Sequence, residues 1–277
     1  MGSVIAIGAL AAVLFAGWHR VTNLDAKAKL RLKDAFTSVF DKAEDRGYLE
    51  RPPAFIRDYH DEYPEMRILE ENHKAIQEEC LKLLEIEDEL VDMTKLGGAL
   101  TAGGVHDARW KIFMFKSGEF IDENCRMAPR TAELLKKIPA CYNAFFSVIG
   151  PKETLRPHWG YYKGFIRYQL AVVVPYNNVN SECYIRINAN PEDNARRDPS
   201  LIEKAETYYW HEAEGIMFDD TYLHEAVNGS DKSRVVLFLD VRKKNMPWLL
   251  QLYNTMILAI IFGDKSVKSI RGNALVN

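Results

Sequence analysis

Residues 155–175, "LRPHWGYYKGFIRYQLAVVVP", place a histidine, His158, just ahead of an apolar segment, Gly164 to Pro175, that carries one arginine, Arg167. A second stretch answers it far downstream. Residues 215–242, "GIMFDDTYLHEAVNGSDKSRVVLFLDVR", supply His224 and then an apolar run headed by Arg234. Apolar runs of this length bounded by Gly, Pro and polar turns read as strands. Neutral imidazole is a ligand for first-row transition metals, and guanidinium holds a carboxylate through two parallel, charge-assisted hydrogen bonds. An arginine on an apolar strand is costly to bury unless an anion meets it. The pattern points to a metal-centred site with an anionic co-substrate. It equally allows both arginines to face solvent on half-exposed strands.

Composition sets the outer bounds. A chain of 277 residues with 47% hydrophobic and 27% charged residues is ordinary for a folded globular protein. A net charge of −3 gives no support for nucleic-acid binding. Cys80, Cys125, Cys141 and Cys183 are far apart and lack zinc-site spacing, which favours a reducing compartment over a disulfide framework.

Residues 1–18, "MGSVIAIGALAAVLFAGW", contain no charged side chain, and as a helix would extend roughly 27 Å. The first positive charges, Arg20, Lys27, Lys29, Arg31 and Lys33, follow the apolar run. Those flanks favour a single-pass membrane anchor, whose following domain faces the cytoplasm, over a cleaved signal peptide, and a buried N-terminal helix is the third reading. Residues 19–64 read as a helical linker broken by "RPPAF" at 51–55. Leu69, Ile76, Cys80, Leu83 and Leu84 recur near helical spacing and predict an amphipathic helix. Strands are expected at 110–115, 143–150, 183–189 and 206–213, a short helix at 130–139, and a flexible loop at 96–104. The polar stretch "NPEDNARRDPSLIEKA" reads as a mobile surface loop or a lid. Residues 246–277 hold a second apolar segment, "WLLQLYNTMILAIIFG" at 248–263, flanked by Arg and Lys at both ends. It reads either as a membrane-interfacial helix or as a helix packed on the domain. The expected fold is mainly β with a helical N-terminal extension, its strands forming a jelly-roll or cupin-like barrel over 65–245.

On these residues the sequence resembles the aspartyl/asparaginyl β-hydroxylase family, iron(II)- and 2-oxoglutarate-dependent dioxygenases built on a double-stranded β-helix. "RPHWG" and "FDDTYLHE" match the metal-histidine motifs, and each histidine is followed nine or ten residues later by a strand arginine. The resemblance implies that His158 and His224 hold Fe(II), with 2-oxoglutarate and O2 as co-substrates. It places the far carboxylate of 2-oxoglutarate on Arg234, with Arg167 and Ser147 supporting its other oxygens, and makes Asp220 an acceptor beside the metal. Gln169 stands where many members have a second co-substrate histidine, and its amide can still donate to a carboxylate. Gly160 stands where most non-haem iron oxygenases carry a carboxylate ligand, as it does in animal members. Cys125 could match the first half of a disulfide of the secreted-side relatives, but Ala132 stands at the second.

The resemblance implies hydroxylation of an unactivated C–H bond, leaving an alcohol and succinate. The acceptor reads first as a protein Asp or Asn side chain. The alternative is a lipid A-like acyl chain, and a third reading is a binding module without turnover. His60, His106, His211, His19 and His73 are the weaker candidates, with His60 read as a surface residue, His211 as part of a strand, and His73 as helical surface.

Overall fold

The structure is a computed structural model, and it describes residues 26–96, 108–263 and 265–276. Apolar strands, most of them buried on both faces, build two antiparallel sheets. The larger contains β1 (Val91–Asp92), β2 (Trp110–Ser117), β3 (Glu119–Phe120), β4 (Cys141–Ile149), β6 (Phe165–Val173), β9 (Gly215–Phe218) and β11 (Arg234–Arg242). Its order is β1-β2-β4-β11-β6-β9, with β3 paired to β2. The smaller contains β5 (Glu153–His158), β7 (Cys183–Asn188), β8 (Glu206–Tyr209) and β10 (Leu223–Asn228), in the order β5-β10-β7-β8.

The helices are α1 (Ala26–Asp45), α2 (Arg67–Glu71), α3 (His73–Leu84), α4 (Asp122–Met127), α5 (Pro129–Lys136), α6 (Pro191–Arg196), α7 (Trp248–Gly263) and α8 (Lys265–Asn273). One core lies between the larger sheet and α2, α3 and α5. Phe113, Phe146, Leu170 and Leu237 meet Leu69, Ile76 and Leu134 there. A second core lies between the sheets, where Ile112, Phe145, Val236 and Phe238 meet Leu155, Ile185 and Tyr208. Successive strand side chains point to opposite faces. The apolar residues at 235, 237 and 239 therefore pack on helices, while 234, 236 and 238 look into the space between the sheets.

The expectation of antiparallel strands with helices holds, but no closed barrel is present among the described residues: the ladders leave two separate sheets facing one another. The polar stretch after residue 189 is ordered rather than loose. Asn190 and Asp198 cap α6 and a following 3-10 turn, Pro199–Lys204. His73 is buried, with its Nε2 3.0 Å from the Ala171 carbonyl oxygen, and His60 sits 2.8 Å from Glu70 Oε2. His211 is exposed and lies beyond the end of β8. All four cysteines are buried and unpaired.

The expected single-pass anchor needs correction. Among the described residues no helix is long and apolar enough to cross a membrane. Helix α7 has 16 residues, roughly 24 Å against a hydrocarbon core of about 30 Å, and α1 is studded with charge. Residues 1–18, on which the anchor rested, lie outside the described residues, as do His19, His106 and most of the expected loop at 96–104. Helix α7 buries Asn254, Ile257 and Leu258, packing with Phe40, Tyr162 and Phe165, and leaves Trp248, Leu249 and Leu252 exposed.

Candidate active site

The two histidines come together through one strand pair. β5 and β10 are antiparallel neighbours, and their register sets His158 opposite His224. The ring centroids are 4.2 Å apart. His158 Nδ1 lies 2.6 Å from the Arg156 carbonyl oxygen, and His224 Nδ1 lies 2.8 Å from that of Tyr222. A carbonyl only accepts, so each Nδ1 carries the proton and donates, which leaves each Nε2 lone pair as a ligand atom. Burial lowers the His158 pKa to about 4, with Arg167 adding to the effect, and the hydrogen bond to Arg156 opposing it. Burial, then His158 and Arg167, push His224 well below its ordinary value. Both rings are neutral at physiological pH, the form that binds a metal.

This donor set fits a divalent first-row metal. Two neutral imidazoles face one another with ring centroids 4.2 Å apart, and such an ion takes imidazole nitrogen through bonds of about 2.0–2.1 Å. Among the described residues no group of three or more His, Cys, Asp or Glu side chains is placed to hold one ion. The set is therefore two imidazoles without a carboxylate ligand. Gly160 explains why. A Cβ there would stand 2.1 Å from Asp220 Oδ2, so the Asp220 carboxylate fills the space that a side chain at 160 would need. The Gly160 N–H also donates to the Asp220 carbonyl.

Asp220 is held by Arg167, Nη2 to Oδ2 at 2.7 Å. The same guanidinium pairs with Asp240 Oδ1 at 3.1 Å and stacks 4.2 Å from the Phe238 ring centroid. Burial works against its charge, and the Asp220 and Asp240 carboxylates outweigh burial and hold its pKa above the ordinary value. Asp240 is a residue that the sequence reading passed over. Its signal was a lone carboxylate inside an apolar strand, two-residue steps away from Arg234, hence on the same face.

Arg234 is placed differently. It is 1% exposed, forms no ion pair among the described residues, and its Nε has no hydrogen-bond partner. Trp210 lies against it, 5.4 Å from ring centroid to guanidinium carbon. Burial lowers its pKa to about 10, so it stays charged at neutral pH. A buried charge without a counter-charge is among the costliest arrangements in a protein interior. Ser147 lies on the neighbouring strand, opposite Val236, and accepts a hydrogen bond from Trp110 Nε1 at 2.9 Å. Gln169 is buried on β6, opposite Phe238.

Two cavities meet at this site. An inner one, about 370 Å³ of empty space, is lined by His158, His224, Ser147, Gln169, Arg167 and Arg234 among others. An outer cleft encloses about 780 Å³, part of it open to solvent, and reaches Asp220, Gly160, Met93, Leu96, Met114 and Phe262. Trp110, His158, Arg167 and Phe238 line both. The insertion after β7 is tied to this edge: Asn194 Oδ1 accepts from Trp159 Nε1 at 3.0 Å and from the Leu223 amide at 2.7 Å.

Residues 70–244 match the model of the aspartyl/asparaginyl beta-hydroxylase family. The chain belongs to that family. Among its relatives is an ornithine lipid ester-linked acyl 2-hydroxylase of Rhizobium tropici, 32% identical over 182 residues that cover 65% of this chain and 58% of that protein. The mouse aspartate beta-hydroxylase domain-containing protein 2 is 28% identical over 50% of this chain and 37% of its own length. A human aspartyl/asparaginyl beta-hydroxylase is 26% identical over 48% of this chain and 16% of its own. The chain thus spans between about one sixth and three fifths of these relatives. A prolyl-4-hydroxylase structure from Pseudomonas putida overlays with a TM-score of 0.38 at 14% identity, covering 63% of this chain and 87% of that one. The paired imidazoles sit within the family-matched residues.

Proposed function

We propose that this hydroxylase depends on iron(II) and 2-oxoglutarate and acts on a lipid acyl chain. The observation that carries the reading is the junction of the two cavities: His158 stands between a pocket holding an unpaired arginine and a cleft with apolar walls. The Rhizobium tropici relative, matched over more of this chain than the animal ones, supports a lipid acceptor. So does the exposed Trp248, Leu249 and Leu252 face of α7, which suits a lipid surface. The two facing sheets fit the reading as halves of an open double-stranded β-helix.

The reaction consumes the acceptor C–H, O2 and 2-oxoglutarate and releases the alcohol, succinate and CO2. Iron(II), when bound, supplies the redox chemistry that couples these changes. His158 and His224 would hold it through Nε2, with their Nδ1 protons donated to the carbonyls of Arg156 and Tyr222, which fixes the ring orientations. Arg234 takes the far carboxylate of 2-oxoglutarate, which gives the buried guanidinium its missing counter-charge. Ser147 and the Gln169 amide donate to carboxylate oxygens in the same pocket. Arg167, already committed to two carboxylates, fixes Asp220, which would accept hydrogen bonds from water where other enzymes place a third protein ligand. Phe238 and Trp110 keep bulk water from the junction.

A protein Asp or Asn side chain is the second reading, favoured by Gly160 and by the animal relatives. Purified protein with Fe(II), 2-oxoglutarate and O2 is offered mixed membrane lipids or a peptide pool, and products are read by mass. A gain of one oxygen on an acyl chain is expected. The same gain on a peptide side chain alone overturns the lipid reading, and no succinate release with either pool returns the chain to a non-catalytic binding module.

A further inference from the structure

The family match ends at residue 244, but the outer cleft does not. Ile261 and Phe262 of α7 and Val267 and Ile270 of α8 line it together with residues of β2, β4 and β11. The wall they form is fastened. Arg271 Nη1 donates to the Ser117 carbonyl at 3.0 Å, and Nη2 pairs with Glu119 at 2.8 Å. Asn273 Nδ2 donates to the Leu96 carbonyl at 3.1 Å, and Asn124 Nδ2 donates to that of Ala274 at 2.8 Å. At the other end of the pair, Asn254 Nδ2 donates to the Gly164 carbonyl at 2.9 Å and Asn254 Oδ1 accepts from Tyr162 OH at 2.8 Å.

Phe262 is the best-held part of this wall. Its ring stacks on Tyr142 at 5.0 Å between centroids and meets Phe165 edge-on at 6.1 Å. Gly118 makes room for it: the backbone there has φ +70°, and a Cβ would stand 2.7 Å from Phe262 Cδ1. The charged groups of the cleft, Arg167, Asp220 and Asp240, are bound to one another. Beyond them the lining is mostly hydrocarbon, from Met93, Leu96, Met114 and the C-terminal helices; Ser117, Tyr161 and Asn143, itself bonded to Asp240, are further polar side chains there. An apolar cleft with a few convergent polar groups at one place orients an apolar ligand and rewards its length.

We propose that α7 and α8 form an acyl-chain binding site, and that Phe262 and Ile270 set which chain length reaches His158. The proposal rests on the lipid reading above and adds that selectivity comes from a segment outside the family-matched residues. A protein Asp or Asn side chain would draw nothing from an aliphatic wall of this kind. A hydrocarbon chain loses roughly tenfold in discrimination for each methylene that fits badly.

The experiment compares the full-length chain with Phe262→Ala, which lengthens the space, and Ile270→Trp, which shortens it. Each is given one ester-linked lipid headgroup carrying a graded series of acyl lengths, and hydroxylated products are resolved by mass. Binding of a conjugated polyene fatty acid to chelator-treated protein is followed by its fluorescence. Phe262→Ala is expected to move the preferred length up by about two methylenes, and Ile270→Trp to move it down. Ile270→Trp is also expected to weaken polyene binding about tenfold. Circular dichroism and thermal unfolding identify a variant that has failed to fold, and the other variant then decides. Wild-type hydroxylation of lipids with an unchanged length profile and unchanged polyene binding in a folded variant overturns the proposal and leaves the lipid reading standing. Wild-type hydroxylation of peptides alone overturns the lipid reading and the proposal with it.

Discussion

The Asp220 carboxylate occupies the volume that a side chain at Gly160 would require, with Oδ2 2.1 Å from the position of a Cβ there. The two positions are therefore alternatives: this chain can carry a carboxylate at 220 or a side chain at 160. Asp220 is in turn bound to Arg167, which is bound to Asp240, so the choice extends through an ionic chain across two strands and a loop.

That exclusion makes Gly160→Asp a disruptive substitution rather than a repair of the ligand set. Overpacking of this kind costs about 1–3 kcal/mol, and the displaced Asp220 leaves Arg167 with one partner. The double variant Gly160→Asp, Asp220→Gly relieves the overlap and is expected to recover part of the loss. Thermal unfolding of the single and double variants measures it. Equal loss in both would mean the contact is not the cause.

His158→Ala and His224→Ala are each expected to abolish iron(II) binding and lower turnover by more than about 100-fold, the upper range for removal of an outer partner of a ligand. Titration with a spectroscopically visible divalent ion reads binding apart from activity. A His224→Ala protein that binds and turns over normally would remove His224 from the ligand set. Chelator treatment of wild type should have the same effect as either variant and be reversed by added iron(II).

Arg234→Met separates binding from folding. The guanidinium is buried without a counter-charge, so an apolar side chain of similar length should leave the ligand-free protein as stable or raise stability by about 1–2 kcal/mol. Affinity for 2-oxoglutarate should fall by about 30-fold or more, the cost of removing one partner of a buried charge pair. Calorimetry against 2-oxoglutarate and urea unfolding give the two numbers. Loss of stability without loss of affinity would make Arg234 a structural residue.

The two histidines predict a pH slope in the metal-free protein. Burial lowers His158 to about 4 from its ordinary 6.5, and His224 shifts the same way. Between those values the unfolded chain binds the proton and the folded chain does not. Their contribution to stability is therefore full above about pH 6.5 and is lost as pH falls toward about 4. At about 1.4 kcal/mol per unit, His158 contributes at most about 3.5 kcal/mol. Urea unfolding of chelated protein at pH 7.5 and 5 should show the loss, and a His158→Gln, His224→Gln double variant should flatten it.

The sequence by itself determined the parts list. The two histidines and two strand arginines were readable as candidates because their spacing and apolar setting are local properties of the chain, whereas Ser147, Gln169 and Asp220 entered only through the family resemblance. Most of the strands and the amphipathic face of α3 were readable too, because strand and helix periodicity are written residue by residue. Asp240 was readable in principle, as a carboxylate on the Arg234 face, and Trp110 as a donor to Ser147 was not. Only the tertiary structure decided which way the arginines point. Alternation says that 167, 169 and 234, 236 share sides of their own strands, but which side faces the second sheet depends on how the sheets stack. Stacking also decided that Arg167 is neutralised and Arg234 is not, because the carboxylates that meet Arg167 come from a loop and a strand remote in sequence. The clearest case is the wall of the outer cleft: nothing local to Ile261, Phe262, Val267 and Ile270 says that they close a cavity beside His158, since that contact exists only once the C-terminal helices fold back across β2 and pin themselves to the carbonyls of Ser117 and Leu96.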